Sequence, residues 1–484
     1  MSSPCGHGTS GVRAVAALSV SLSFFLAACG SQPDGDREPP SFTAPADVRH
    51  EPPADLSAAV SGTREDSVHP EFGDPLVDAL HYDLALAWTP ESDHLEAIER
   101  LTFRATADAR EIRLDFHDAL TVDSLTVDGE DAEFAHAEKD LTIAHEVTAD
   151  SRHLIELTYS GTPESYPGPY EVPPFATGLG WVTTPEHETY TLPAPGAFTW
   201  YAVNDQPADK AFYDFTLTVP QPWTGVASGE LVDTTDRDGL RTTEWHVAEP
   251  AYLITTTFGD YSAKKLESAS GVPITVWFPS DDPAAIGVAT YAPEALGWLE
   301  RYLGPYPFDT LGIVIFGTDI GIETHTMVTL GENTTSRPLV VHELAHAWYG
   351  DAVSPADRRD VWMDEGWAMY FNTMWEAENL GGTLDERMDQ LAAEEEVERL
   401  SDGPPGDPDG TIYSGPALMW QELREDIGDE AFFDLVRTWP EQKRNGTADR
   451  EEYLAWVEQE TGLELTAFFD AWLLDQRTPD RRNQ

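Results

Sequence analysis

The sequence predicts an α+β multidomain protein, with an N-terminal all-β domain, a saddle or sandwich, followed by a mainly helical domain. From about residue 71 to 259 apolar residues recur at period two, and turn signals separate the runs. Beyond residue 260 the apolar period lengthens to that of helices.

Tyr82, Leu84, Leu86 and Trp88 make the first alternating run. Ile112, Leu114 and Phe116 follow, then Ile155, Leu157 and Tyr159, then Tyr213, Phe215, Leu217 and Val219. Successive strand side chains point to opposite faces, so these strands are expected to be half-buried. Asp128-Gly129, Ser160-Gly161 and Asp238-Gly239 are the turn signals between them. Past Asp260 one more strand is expected over residues 274–278 and a buried one over residues 311–316. Helical segments rich in Trp, Leu and Ala follow. From residue 417 to 474 apolar helix faces alternate with acidic ones, with breaks at Gly428, Gly446 and Gly462. The expected domains are residues 71–259 and 260–484.

With 41% hydrophobic residues and 15 Trp in 484 positions, the chain can build a large core and lies outside the disordered class. Its 29 Lys and Arg against 87 Asp and Glu give a net charge of −58. Binding to nucleic acid through counterion release needs a basic surface, so no nucleic-acid partner is expected. Only Lys139, Lys210, Lys264, Lys265 and Lys443 are lysines. Salt adaptation and an acid-rich genome account equally well for such a surface.

Arg13 precedes an apolar stretch, residues 14 to 28, that has the length of a signal-peptide core and is short for a membrane span. It ends in Leu26-Ala27-Ala28-Cys29, which resembles a bacterial lipobox. The expectation is a lipoprotein signal peptide over residues 1–28, a lipid on Cys29 and an extracytoplasmic protein anchored to the cell membrane. Cys5 would leave with the signal, so no intramolecular disulfide could form. Residues 29–70, with many Pro, Asp and Glu and no apolar period, are expected to be a disordered tether.

The chemistry centres on His342-Glu343-Leu344-Ala345-His346. Ser336 suits an N-cap, Pro338 the first turn and Gly350 the position after the helix end, so one helix is expected to carry all five residues. Side chains four apart share a helix face, which lets both imidazoles reach one Zn²⁺ while Glu343 stands beside the metal's water. A catalytic zinc needs three protein ligands and an open position. Glu365 follows His346 by nineteen residues, within Trp362-Met363-Asp364-Glu365-Gly366. Residues 351–360 contain Pro355 and several polar residues, so they are expected to turn the chain back and place Glu365 on a second helix.

This pattern resembles the zinc aminopeptidases of the aminopeptidase N family, in which the same eighteen-residue gap separates the second His from the Glu. The resemblance continues at Trp200-Tyr201-Ala202-Val203-Asn204-Asp205-Gln206-Pro207, at Asp209-Lys210-Ala211 and at Ala467-Phe468-Phe469-Asp470-Ala471-Trp472-Leu473. It covers roughly residues 71 to 478. It implies a β-saddle followed by a thermolysin-like catalytic domain, without the large C-terminal helical-repeat domain of many members. Ile320-Gly321-Ile322-Glu323-Thr324 occupies the place of the family's amine-binding Gly-x-Met-Glu-Asn, with Ile320 for its Gly and Thr324 for its Asn. Glu323 then corresponds to the carboxylate that holds the substrate's α-ammonium group. Tyr413, in Tyr413-Ser414-Gly415-Pro416-Ala417, corresponds to the tyrosine that stabilises the oxyanion.

The implied activity is removal of N-terminal residues from peptides with one zinc on His342, His346 and Glu365 and Glu343 as general base. Asp364 is expected to help orient the ligands. Where many members supply a second amine-binding residue, this chain reads Thr191-Leu192-Pro193-Ala194-Pro195-Gly196, with no acid or amide. Two alternatives stand beside the aminopeptidase: a zinc endopeptidase with the same core, and a surface lipoprotein that keeps zinc without turnover.

Overall fold

The strand Val77–Thr89 pairs antiparallel with His94–Ala105 and parallel with Ala211–Pro220, near the middle of an eight-stranded sheet. This is a computed structural model, which describes residues 48–484 except 168–177, 187, 193–194, 283–284, 318–320, 332–335, 395–411, 475–478, 480 and 482–484. The signal peptide and Cys29 lie outside the described residues. All described residues belong to one compact unit, Phe42–Gln484, with an N-terminal part rich in sheet and a C-terminal part rich in helix.

Tyr82, Leu84, Leu86 and Trp88 enter the N-terminal core beside Phe215, Leu217, Leu157 and Tyr159, as the alternation predicts. The expectation of half-buried strands fails for Val77–Thr89 and Ala211–Pro220, which are buried along both faces. Their second face carries His81, Asp83 and Asp214, and residues 48–70 help to cover it. His50 Nδ1 lies 2.9 Å from Asp83 Oδ1, while Leu56 and Ala59 pack on Leu80 and Phe212. Further along, Arg64 donates to the Ala356 carbonyl and to Asp449, and Ser67 Oγ donates to Asp357 at 2.7 Å. The expected tether is therefore corrected over residues 48–70, which form a strap bound to the body. A strap held by individual ion pairs and two small apolar contacts leaves no periodic signature in sequence.

A five-stranded sheet stands between the two hydrophobic cores. Ile274, Val276, Ile313, Ile315, Val328 and Leu330 face the helical core, whereas Trp277, Val314, Phe316 and Met327 face the N-terminal one. Leu311–Phe316, parallel to both neighbours, is buried throughout as predicted. Gly428 and Gly462 end helices at φ +80° and +68°, where a side chain would be strained. Gly446 does more than break a helix: it opens the strand Gly446–Ala448, parallel to Val353–Pro355. That pairing fixes the connection between the two helices of the site.

Candidate metal centre

The first site helix is Arg337–Ala345. Ser336 caps it by accepting a hydrogen bond from Leu339 N at 3.3 Å, and Pro338 lies in its first turn. The helix ends at Ala345, short of the end that Gly350 marks in the sequence, with His346 as C-cap at φ −60°, ψ −20°. These angles are still helical, so His342 and His346 keep the same face, with nitrogens 3.4 Å apart. Gly350, at φ +133°, then turns the chain. His346 Nδ1 lies 3.2 Å from the Tyr349 carbonyl, which orients its Nε2 toward His342.

After Val353–Pro355 and a turn held by the Asp357 side chain, the second site helix, Trp362–Leu380, presents Glu365 from its first turn. Glu365 Oε2 lies 3.2 Å from His342 Nε2 and 3.4 Å from His346 Nε2. Two imidazoles and a carboxylate thus form a triangle with sides of 3.2, 3.4 and 3.4 Å. Donors about 2.0–2.1 Å from a tetrahedral zinc would stand about 3.3 Å apart, so donor chemistry and spacing both fit Zn²⁺.

Glu343 is buried, and its carboxylate, that of Glu323 and the His346 imidazole lie within 4.8 Å of one another. Burial and the neighbouring Glu323 charge push Glu343 well above the usual carboxylate range. Glu323 is raised mainly by burial, against the opposing charge of His346. Burial also pushes Glu365 up, but the charge of His346 and hydrogen bonds from both imidazoles hold it below the usual range. Tyr413 hydrogen-bonds Glu365, and the carboxylate's charge followed by burial raises the phenol well above its ordinary value. Its proton therefore stays available for donation. The Tyr413 ring centroid is 6.2 Å from that of His342. Every predicted site residue among the described ones is thus brought together. Asp364 is buried, and its Oδ1 accepts from Glu365 N at 2.8 Å, which steadies the helix start rather than an imidazole.

Two contributors carry no catalytic signature in the sequence. A Cβ built on Gly321 would stand 2.3 Å from Glu343 Oε1, so the glycine leaves the space that the carboxylate fills. Lys210, fully buried in the N-terminal half, donates through Nζ to the Asp351 carbonyl at 2.8 Å, and Asp351 N donates to the His346 carbonyl at 2.9 Å. Burial, opposed by the Asp351 charge, lowers Lys210 to about 8. The lysine braces the turn that carries His346. The stretch Asp209-Lys210-Ala211 was visible only as part of a resemblance.

Residues 311–472 match the model of the Peptidase family M1 domain, which spans both site helices and Tyr413. This segment is a Peptidase family M1 domain. Around it, the chain is 24% identical over 446 residues to aminopeptidase N of Streptomyces lividans, covering 82% of this chain and 50% of that one. The chain spans about half the length of the curated relatives it matches. Among solved structures, the M1 zinc metallopeptidase from Deinococcus radiodurans is 25% identical, with a TM-score of 0.76 over 86% of this chain and 97% of that one. A variant of a Deinococcus radiodurans M1 zinc metallopeptidase, described as bound to a Tyr-Ser-Ala substrate, superposes with a TM-score of 0.79 at 24% identity, over 86% and 98% of the chains. The M1 domain thus occurs here with the two-part architecture of sheet followed by helices.

Proposed function

We propose that this chain is a zinc-dependent aminopeptidase that removes N-terminal residues from peptides. The triangle of His342, His346 and Glu365 with Glu343 and Glu323 beside it carries this reading. When bound, zinc supplies Lewis-acid polarisation of water and of the scissile carbonyl. Glu343 takes the proton of the attacking water and delivers it to the departing amine, a task suited to a carboxylate whose proton affinity is raised. Tyr413 donates its hydroxyl hydrogen to the carbonyl oxygen as negative charge develops there. The Glu365 carboxylate, held in its charged form, and Glu323 beside the reacting centre favour an ammonium group there. Glu323 binds the free α-amine and sets the first peptide bond over the reacting centre.

Acetylated and free forms of one peptide test this directly. The free form is trimmed from its N-terminus, the acetylated form is not cut, and Glu323→Ala raises KM and lowers kcat while zinc stays bound. Equal internal cleavage of the acetylated peptide would replace the aminopeptidase with an endopeptidase.

We further propose that residues 1–28 are a lipoprotein signal peptide, that Cys29 carries the lipid and that the enzyme works on the outer side of the cell membrane. Leu26-Ala27-Ala28-Cys29 after an apolar stretch supports this. Labelled fatty acid should enter the wild type and not Cys29→Ser; equal labelling of both would reject the anchor. A division into a β-saddle domain over 71–259 and a peptidase domain over 260–484 belongs to the same proposal.

A further inference from the structure

We propose that Asp128, His145 and His153 form a second metal site, for a borderline divalent ion such as Zn²⁺, that clips two sheets of the N-terminal half together. Asp128 stands at φ +53° in the Asp128-Gly129 turn, between the strands Leu120–Val127 and Glu130–Asp131. Its Oδ1 accepts from Leu154 N at 2.9 Å, which fixes the carboxylate against the strand Arg152–Gly161. Its Oδ2 lies 2.8 Å from His153 Nδ1 and 3.9 Å from His145 Nε2. The three donor groups lie within 4.8 Å of one another, and the two imidazoles meet edge to face with centroids 5.4 Å apart.

The hydrogen bonds around His153 leave its Nδ1 and the Asp128 carboxylate free to act as ligands to a cation. Ser151 Oγ lies 2.5 Å from the Thr148 carbonyl, which can only accept, so the serine's single hydroxyl proton is committed there. His153 Nε2, 2.7 Å from the same Oγ, must then be the donor of that contact. A neutral His153 has its second nitrogen, Nδ1, unprotonated, and this lone pair faces a carboxylate oxygen at 2.8 Å. Two acceptors do not hold such a contact without positive charge between them. A metal ion at this point would supply it.

His145 adds a third donor to the cluster. Its Nε2 lies 3.9 Å from the carboxylate oxygen that His153 Nδ1 faces. Two imidazoles with a carboxylate suit Zn²⁺ and its neighbours among the divalent transition ions. A bound imidazole that donates its other N–H to a fixed acceptor is the usual supporting contact, and Ser151 provides it. Entry of the ion requires the 2.8 Å separation to open and the 3.9 Å separation to close, each by about 0.5 Å. Asp128 and His145 are partly exposed, which leaves water to complete the coordination. His145 directly follows the strand Asp140–Ala144 of a three-stranded sheet, while in the eight-stranded one His153 lies on the interior strand Arg152–Gly161 and Asp128 in the turn joining the two outermost strands.

The test uses the full chain, stripped with a chelator and titrated with ZnCl₂ in a calorimeter, with bound metal counted by elemental analysis. His145→Ala leaves the Asp128 contacts to His153 and Leu154 in place, and Asp128→Asn removes the shared oxygen charge. The wild type should take up one more equivalent of zinc than either variant, and His145→Ala should hydrolyse peptide at the wild-type rate. Added zinc should also raise the melting temperature further in the wild type than in His145→Ala. Equal stoichiometry in the wild type and both variants would overturn the proposal.

Discussion

Gly321→Ala isolates what the glycine does for the proposed base. The backbone of Gly321 is outside the left-handed region, and the residue pairs with Leu330 in the sheet, so alanine strains no dihedral there. The new methyl would stand 2.3 Å from Glu343 Oε1, 2.8 Å from Cδ and 3.1 Å from Cγ. Ordinary contact begins at 3.4 Å, so the carboxylate must retreat by about 1.1 Å. The sheet fixes one partner and the site helix the other, so the Glu343 side chain is what moves. A displacement of about 1 Å at a reacting group costs about 10²-fold in rate, or about 2.7 kcal/mol of barrier. The assay is kcat on an aminoacyl reporter, with zinc content measured in parallel. Loss of kcat at full zinc occupancy is expected, and in a Glu343→Gln background Gly321→Ala should cost almost nothing more, because both changes act on one group. A Gly321→Ala enzyme with near wild-type kcat, or additive losses in the double variant, would refute the steric argument.

His342→Ala, His346→Ala and Glu365→Ala should each lose bound zinc, whereas Glu343→Gln should retain it and lose about 10²-fold or more in activity by removing the base. Tyr413→Phe should keep both zinc and fold and lower kcat by about 10²-fold, with little change in KM if the hydroxyl acts on the developing oxyanion. Away from the site, Asp214 lies 2.7 Å from His246 Nδ1 and 2.8 Å from His81 Nε2. Burial pushes Asp214 up, but the bonds to His246 and His81 hold it well below its usual value, and the same bond to Asp214 raises His246. The depressed Asp214 contributes stability that is present above about 3.8 and lost as pH falls through its lower folded value. The raised His246 contributes stability that is complete below 6.5 and lost as pH rises through its higher folded value. The melting-temperature gap between the wild type and Asp214→Asn should therefore be widest between these limits and narrow on either side. A gap that does not vary with pH would remove the linkage.

The sequence by itself determined the features that depend on spacing along one element. Residues four apart on a helix share a face whatever surrounds it, so His342 and His346 were legible as a pair, and an interposed turn made Glu365 legible as their partner. Alternation likewise assigned Tyr82, Leu84, Leu86 and Trp88 to one side of a strand. Tertiary structure alone decided what covers the other side. Residues 48–70 read as a tether because their composition has no period, yet His50, Leu56, Arg64 and Ser67 each find a partner far along the chain. Gly321 and Lys210 were silent for the same reason: the first matters because Glu343 stands against it, the second because Asp351 does. Asp128, His145 and His153 come from three separate segments, so their convergence also depends on sheet register. Local geometry repeats with the period of the backbone and can be read from one segment, whereas a contact between distant segments exists only once the fold has set the distance between them.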